Sequence, residues 1–224
     1  RMEVPKDAPL GWHTLRLATS RGVSNFRLFC IDDLPQVLES ADNRTPASAQ
    51  PVPVPSVVCG RVDAEQTDYF KINVEAGQRL SFEVLGRRLG SGLDPILTLI
   101  NPRGGKPLAM SDDAPGQSKD PRFTYTFKEA GEYLLEVRDV RHQGGADWYY
   151  RLRIGDFPLA TTPVPLAARR GSTVQVAFAG PHVEGIPPLS VNVPTEPDLK
   201  AIWLAPTWPT GGVPGWPVAL ALSA

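Results

Sequence analysis

The feature that most constrains this chain is a succession of short, alternating apolar segments between residues 60 and 154, separated by turns rich in Gly, Asp and Pro. Phe70, Ile72 and Val74, for example, alternate with polar residues before one such turn. Alternation places one face of a strand on a core and the other in solvent. Roughly seven or eight such strands at close spacing predict an all-β fold, an antiparallel β-sandwich.

Two turns of the same composition are predicted to close β-hairpins. The first, at residues 75–78, joins the alternating segments 70–74 and 80–84, and Gly77 supplies its positive φ. The second repeats this arrangement between the aromatic-rich segments 123–127 and 133–137.

The segments on either side carry weaker β signals. Residues 11–31 predict a β-hairpin, and residues 171–180 predict one clear strand. Pro-rich stretches at 32–56 and 157–165 separate them from the middle of the chain. Repeated Pro excludes regular helix and favours a linker or an edge strand. The first stretch is expected to be a linker, with packing on the next domain as the alternative, since its valines are costly to leave in water.

Charge and composition exclude several classes of partner. The chain has 23 basic and 24 acidic residues, a formal net charge of −1 at pH 7. Such a balance gives no basic surface for nucleic acid or anionic membrane. No run of about 18 apolar residues occurs, so no membrane insertion is expected. Since the chain begins at Arg1 without an apolar leader, we expect it to be cut from a longer polypeptide.

The two cysteines, Cys30 and Cys59, are too few for a zinc site and lack the spacing of one. One interpretation is a disulfide that joins two modules across the Pro-rich stretch. The alternative is two buried thiols, because each cysteine lies in an apolar strand segment. The sequence leaves both interpretations open.

Catalytic motifs are not recognisable. His13, His142 and His182 lie in three different segments, away from any recognisable nucleophile motif. The sequence shows no G-x-S-x-G, H-E-x-x-H or paired-carboxylate signature. We therefore expect no enzymatic activity and no catalytic residue.

Several segments succeed one another in a specific order: LDPILTL, LAMSDDAPG, FTYTFKEAGEYLLEVRD, a Gly-Gly loop and WYYRLRIGDFP. This order resembles the bacterial pre-peptidase C-terminal domain, in copies carried by large secreted proteins of planctomycete type. The resemblance implies a jelly-roll-like β-sandwich that is itself non-catalytic. It also implies a secreted, cell-surface or periplasmic location, commonly beside a protease or other catalytic module.

The resemblance suggests three parts. Residues 35–157 would form the pre-peptidase-like sandwich. Residues 1–34 resemble the last strands of an Ig-like or TIG-like domain, and residues 158–224 resemble the start of another Ig-like domain. The fold expectation is therefore a β-sandwich with flanking Ig-like β segments.

Some relatives in this family, the collagen-binding domains of clostridial collagenases, bind calcium and an extended protein ligand. Their calcium segment has the pattern Glu-x-Glu-Pro-Asn-Asn/Asp and is completed by carboxylates near the start of a strand. Glu39 and Asn43 match the first part, and Asp63 and Asp68 remain in the second. Hard cations such as calcium require six to eight oxygen ligands. The resemblance thus nominates these four residues for a metal.

The same segment departs from the calcium-binding pattern at two positions. Ala41 replaces a carboxylate, although Asp42 could substitute for it, and Arg44 brings a positive charge where an oxygen ligand would stand. Both changes weaken a metal site, and the alternative is that the acids are solvated or cap turns. We therefore expect no cofactor, with calcium left open.

Two further groups of side chains are candidates for a site. Asp112 and Asp113 would satisfy a metal motif only if a third acid approached, and turn capping is the simpler interpretation. Asp94 precedes a proline and is expected to accept hydrogen bonds. The run Trp148, Tyr149, Tyr150 is the best candidate for a ligand surface, and packing against a flanking domain is its alternative.

Two functions are compatible with these features. The first is a non-catalytic structural or interaction module of a large exported bacterial protein, whose partners are other domains or subunits of the assembly. The second is an accessory domain that targets a secreted hydrolase to an extended protein or a polysaccharide. Exposed aromatic rows on an open sheet would favour the second function.

Overall fold

The computed structural model describes residues 3–223 and divides into two compact units. One unit is residues 34–156, and the other combines residues 3–33 with residues 157–223. The three-part division expected from the sequence stays a prediction. In the structure, residues 3–33 and 157–223 belong to one unit.

The described residues contain twenty strands and two short 3-10 turns, Pro46–Ser48 and Arg87–Leu89. The first flank holds β1 (Gly11–Leu15), β2 (Ala18–Thr19), β3 (Gly22–Val23) and β4 (Arg27–Ile31). The central unit holds β5 (Gln36–Leu38), β6 (Gln50–Pro51), β7 (Ser56–Arg61), β8 (Asp68–Val74), β9 (Arg79–Leu85), β10 (Pro95–Ile100), β11 (Pro107–Ser111), β12 (Arg122–Thr126), β13 (Gly131–Asp139) and β14 (Tyr149–Gly155). The second flank holds β15 (Thr162–Val164), β16 (Ala167–Arg169), β17 (Thr173–Ala179), β18 (Leu189–Asn192), β19 (Ala201–Leu204) and β20 (Val218–Ser223).

The central unit is a sandwich of two five-stranded sheets, ordered β11-β10-β13-β8-β6 and β12-β9-β14-β7-β5. Its core takes apolar side chains from both sheets, such as Phe70 and Leu135 from the first and Phe82 and Leu152 from the second. All four are fully buried. Burial of each such side chain contributes about 1.5–3 kcal/mol. The predicted all-β sandwich class is confirmed.

The turns at 75–78 and 127–130 connect the two sheets and do not close hairpins. Strands β8 and β9 lie in different sheets, as do β12 and β13. The two turns bond to each other, with the Gly77 amide donating to the Phe127 carbonyl at 2.7 Å. The hairpin prediction was wrong because a hairpin and a crossing turn share the same apolar alternation and the same positive-φ glycine, here at φ 81°.

The Pro-rich stretch contributes edge strands to the sandwich. Strand β5 pairs in parallel with β7, and β6 pairs in parallel with β8. Val52 follows β6 and is buried in the core. This stretch therefore packs on the central domain, and the cost of exposing valine explains why.

The flanking unit is smaller. Two three-stranded sheets, β15-β17-β18 and β16-β20-β19, enclose a core that includes Val176, Val191 and Leu220. Strand β17 confirms the strand predicted at residues 171–180, and the β1–β4 pair confirms the predicted hairpin. Trp12 of the hairpin packs edge-to-face on Trp216, with ring centroids 5.0 Å apart. This apolar contact gives a reason for the flanks to form one unit, and their Ig-like character stays a prediction.

No helix among residues 3–223 is long and apolar enough to cross a membrane.

Candidate functional site

Three of the four residues nominated for a metal converge in the central unit, and an arginine lies between them. The Arg44 guanidinium bonds the Glu39 carboxylate, with Nη1 3.0 Å from Oε1, and the Asp63 carboxylate, with Nη2 3.2 Å from Oδ2. Its Nη1 also bonds Oδ1 of Asp68. We refer to Arg44, Glu39, Asp63 and Asp68 as the Arg44 cluster.

Asp68 is the most buried acid of the Arg44 cluster, with no exposed side-chain surface. Its second oxygen, Oδ2, accepts a hydrogen bond from the Tyr150 hydroxyl at 2.7 Å. Burial raises the pKa of Tyr150 well above 10, and the Glu39 carboxylate raises it further. The phenol therefore stays protonated at neutral pH and remains a donor to Asp68.

Glu39 is bonded on both of its oxygens. Oε2 accepts from the Arg61 amide at 2.7 Å, while Oε1 faces Arg44. Burial raises the pKa of Glu39 above its ordinary value, which outweighs the lowering by the Arg61 amide and the Arg44 guanidinium. Gly60 is required beside it, because a Cβ there would lie 2.5 Å from the Tyr150 ring and 2.9 Å from Oε2 of Glu39.

Asn43, the fourth nominated residue, is fully buried next to Glu39. With its side-chain nitrogen turned toward the neighbouring acceptors, it donates to the Ser40 carbonyl at 2.9 Å and to Oε1 of Glu39 at 3.2 Å. A calcium ligand would instead present its amide oxygen. The arrangement of these oxygens therefore does not fit a metal ion, since a guanidinium and an amide N–H already face them.

A surface cavity of about 230 Å³ opens beside the Arg44 cluster. Glu39, Arg44, Arg61 and Asp63 are among its lining residues, and Arg61 bonds Oδ1 of Asp63 at 3.1 Å. One side of the Arg44 cluster is therefore open to water, and Asp63 is the most exposed of its acids, at 42%.

A second charged group lies on the sheet that contains β12, β9 and β14. It combines one acid with three arginines, whereas the Arg44 cluster combines three acids with one arginine. Glu83 of β9 stands directly opposite Arg122 of β12 and Arg153 of β14. Its carboxylate lies 3.5 Å from Arg153 and 3.8 Å from Arg122, and Arg88 approaches it to 3.0 Å. We refer to these four residues as the Glu83 network.

The arginines of the Glu83 network favour the charged form of Glu83. Burial alone would raise the pKa of Glu83, but the guanidinium groups of Arg88, Arg153 and Arg122 outweigh it and lower that pKa below its ordinary value. Asp120 extends the network by accepting from Arg88 Nε at 2.7 Å and from the Gly86 amide at 3.0 Å. The buried acids thus hold the turn at 86–90 against the sheet.

The sequence gives little sign of the Glu83 network. Glu83 occupies a position in β9 where alternation predicts solvent exposure, yet its side chain is fully buried. Only the register of β9 against β12 and β14 brings the charges together. An acid and two arginines inside otherwise apolar strands were the available signal.

A third acid does approach Asp112 and Asp113. The carboxylates of Asp94, Asp112 and Asp113 offer oxygen atoms within 4.8 Å of one another. Lys119 already bonds Asp94 through Nζ. Burial raises the pKa of Asp112, and the Asp113 and Asp94 carboxylates raise it further. The group therefore carries a lysine counterion of its own.

The aromatic run divides between the core and the surface. Tyr150 is 2% exposed and belongs to the core, so it offers no surface to a ligand. Trp148 is half-buried against the core, and the half-buried Tyr149 donates to the Leu89 carbonyl at 3.1 Å. A ligand surface stays a prediction for Trp148 and Tyr149 alone.

The cysteines lie in different units. The Cys59 sulfur faces the Gln36 side-chain oxygen at 3.8 Å and the Arg151 guanidinium at 3.3 Å. A bridge between Cys30 and Cys59 stays a prediction.

Comparison with known proteins agrees with the resemblance drawn from the sequence. Residues 66–139 match the family model of the bacterial pre-peptidase C-terminal domain, which confirms the resemblance for this part of the chain. No curated protein is significantly similar to the chain.

Among solved structures, the chain is similar to the pre-peptidase C-terminal domain of collagenase from Bacillus anthracis, at 19% identity and a TM-score of 0.39, over 47% of this chain and 93% of that one. It is also similar to PliG of Aeromonas hydrophila, a periplasmic inhibitor of g-type lysozyme, at 18% identity and a TM-score of 0.37, over 47% of this chain and 95% of that one. A β-glucosidase from Paenibacillus barengoltzii matches at 11% identity and a TM-score of 0.25, over 55% of this chain and 13% of the enzyme.

Proposed function

We propose that this chain, whose residues 66–139 are of the bacterial pre-peptidase C-terminal type, is a structural and interaction module of a larger exported bacterial protein. The central unit is a β-sandwich of a non-catalytic type, and its role is to space and dock other domains or subunits. Secretion, or a cell-surface or periplasmic location, belongs to the same proposal.

The main support for the proposal is that the buried acids of the central unit bond other parts of the same fold. Glu83, Asp120 and Asp68 each bond guanidinium, amide or hydroxyl donors that hold strands and turns in place. Such pairing serves a scaffold, because every one of these acids is neutralised by neighbours within the fold.

The surface of the central unit favours docking of other domains or subunits over binding of a polysaccharide or an extended protein. Its exposed large apolar side chains are aliphatic or thioether groups: Leu38 on β5, and Leu108 and Met110 on β11. Each aromatic side chain of residues 34–156 is buried or half-buried. Targeting domains for polysaccharides or extended proteins would use an exposed aromatic row, so the accessory-domain alternative has less support.

The proposal is tested by co-sedimentation of the full chain with insoluble collagen, cellulose and peptidoglycan, together with turnover assays on peptide and glycoside substrates. We expect the chain to stay in the supernatant and to release no product. Saturable sedimentation with any of the three polymers would favour targeting, and turnover at a rate proportional to chain concentration would contradict a non-catalytic module.

Limited trypsin digestion of the full chain supplies a positive readout. A spacer folds as an independent unit, so we expect a resistant fragment close to residues 34–156, identified by mass spectrometry. A matched digestion of Glu83→Gln should lose this resistance, because it removes the acid at the centre of the Glu83 network. Degradation of the central and flanking residues at equal rates in the unmodified chain would contradict the proposal.

A further inference from the structure

The Arg44 cluster carries an inference that does not depend on the proposed function. Three carboxylates from separate parts of the central unit converge, and the cation among them is a side chain of the same chain. We propose that Arg44 is a built-in cation that takes the place of a divalent metal ion, so that the fold of this domain is independent of calcium.

The geometry of the guanidinium suits this role. A guanidinium has five N–H donors in a fixed plane, and Arg44 directs Nη1 to Glu39 and Asp68 while Nη2 reaches Asp63. The other oxygens of these acids also have donors, from the Arg61 amide, the Tyr150 hydroxyl and the Arg61 guanidinium. A calcium ion would therefore have to displace both the guanidinium and its bonds.

The Arg44 cluster joins parts of the chain that are distant in sequence. Glu39 and Arg44 lie after β5, Asp68 begins β8 in one sheet, and Tyr150 lies in β14 of the other. The Tyr69 amide adds a backbone bond to the Asn43 carbonyl at 2.8 Å. Arg44 thus ties the segment 39–44 to β8 through Asp68, and Asp68 in turn bonds Tyr150 of β14.

Charge balance predicts the effect of removing Arg44. Without it, the only guanidinium beside the three acids would be that of Arg61, which bonds Asp63. The buried Asp68 would keep one side-chain donor, the uncharged hydroxyl of Tyr150. The site opens on the surface cavity beside it, so a hydrated ion has access. A divalent cation would balance the remaining charge.

The test compares melting temperatures of the full chain in millimolar calcium and in chelator, with sodium chloride added to equal ionic strength. The unmodified chain should melt at the same temperature in both. In chelator, Arg44→Ala should melt about 5–10 °C below the unmodified chain, because the buried acids lose their counterion. Calcium at about a hundredfold excess over its dissociation constant should return at least about half of that loss.

Two controls make the test specific. Arg44→Lys keeps a cation at the same place and should show no calcium response. Arg61→Ala removes a cation that contacts the outer oxygen of Asp63, and should also show none. The proposal is overturned if the unmodified chain gains stability from calcium, if Arg44→Ala melts like the unmodified chain, or if Arg44→Ala and Arg44→Lys respond to calcium equally. Calcium titration of the unmodified chain by calorimetry tests the proposal even if Arg44→Ala fails to fold, since saturable heat would contradict it.

Discussion

The Arg44 cluster and the Glu83 network are opposite solutions to the burial of charge in one sandwich. In the Arg44 cluster one guanidinium serves three carboxylates, whereas in the Glu83 network three guanidinium groups serve one carboxylate. The pKa of Glu39 in the acid-rich group is raised, mainly through burial, and in the arginine-rich group the arginines overcome burial and lower the pKa of Glu83.

The difference lies in what positions the charges. Glu83, Arg122 and Arg153 are held by the register of three adjacent strands, so the charges cannot separate without breaking the sheet. Glu39, Arg44 and Asp63 lie in connecting segments beside a surface cavity, where their positions depend on the ion pairs themselves. Loss of charge should therefore cost more in the Glu83 network.

The largest effect is expected for Glu83→Gln. It leaves three arginines around a neutral amide in a site closed to water, and breaking a buried pair in this way costs about 3–5 kcal/mol. Chemical denaturation followed by circular dichroism measures the loss. The matched control is Glu132→Gln, which removes an exposed pair with Lys71 at 3.6 Å and should cost less than about 1 kcal/mol. Equal losses for the two variants would contradict the role given to the network.

A smaller loss is expected for Tyr150→Phe. This change keeps the ring in the core and removes only the hydroxyl that donates to Asp68. A hydrogen bond to a charged group contributes about 1.5–3 kcal/mol. Tyr149→Phe is the control, because its hydroxyl bonds a neutral carbonyl and should cost about 0.5–1.5 kcal/mol. If Tyr149→Phe were the more destabilising variant in urea denaturation, the role given to Asp68 would fail.

The smallest loss is expected for Gly60→Ala, which tests the packing around the Arg44 cluster without changing its charge. The added methyl would overlap the Tyr150 ring and approach Glu39, and overpacking of this kind costs about 1–3 kcal/mol. Gly104→Ala is the control, since a Cβ there meets no atom within 4 Å. Differential scanning calorimetry should show a lower melting temperature for Gly60→Ala alone, and unchanged melting of both variants would argue against close packing at Gly60.

Much of the fold was predictable from the sequence, because apolar alternation reports directly on burial. It located β8, β9, β12 and β13, and the class of sandwich followed from them. It did not reveal that the turns at 75–78 and 127–130 cross between sheets, since alternation is the same in a hairpin and in a crossing. Strand pairing over long separations has no local signature.

The sequence likewise predicted one of the two charged sites and missed the other. The resemblance to calcium-binding relatives brought forward Glu39, Asn43, Asp63 and Asp68, and the structure places all four together. That Arg44 bonds three of them follows only from the fold. The Glu83 network was not foreseen, because its charges meet through strand register between residues far apart in the chain.

The balance between burial and neighbouring charge at Glu39 and at Glu83 can be measured in one experiment, a carbon-detected NMR titration of the two side-chain carboxyls. We expect Glu39 to titrate above its ordinary pKa of 4.5 and Glu83 to titrate below it. Glu39 would then gain its proton first as the pH falls. Titration of Glu83 at a higher pH than Glu39 would contradict the account in which burial dominates at Glu39 and the arginines dominate at Glu83.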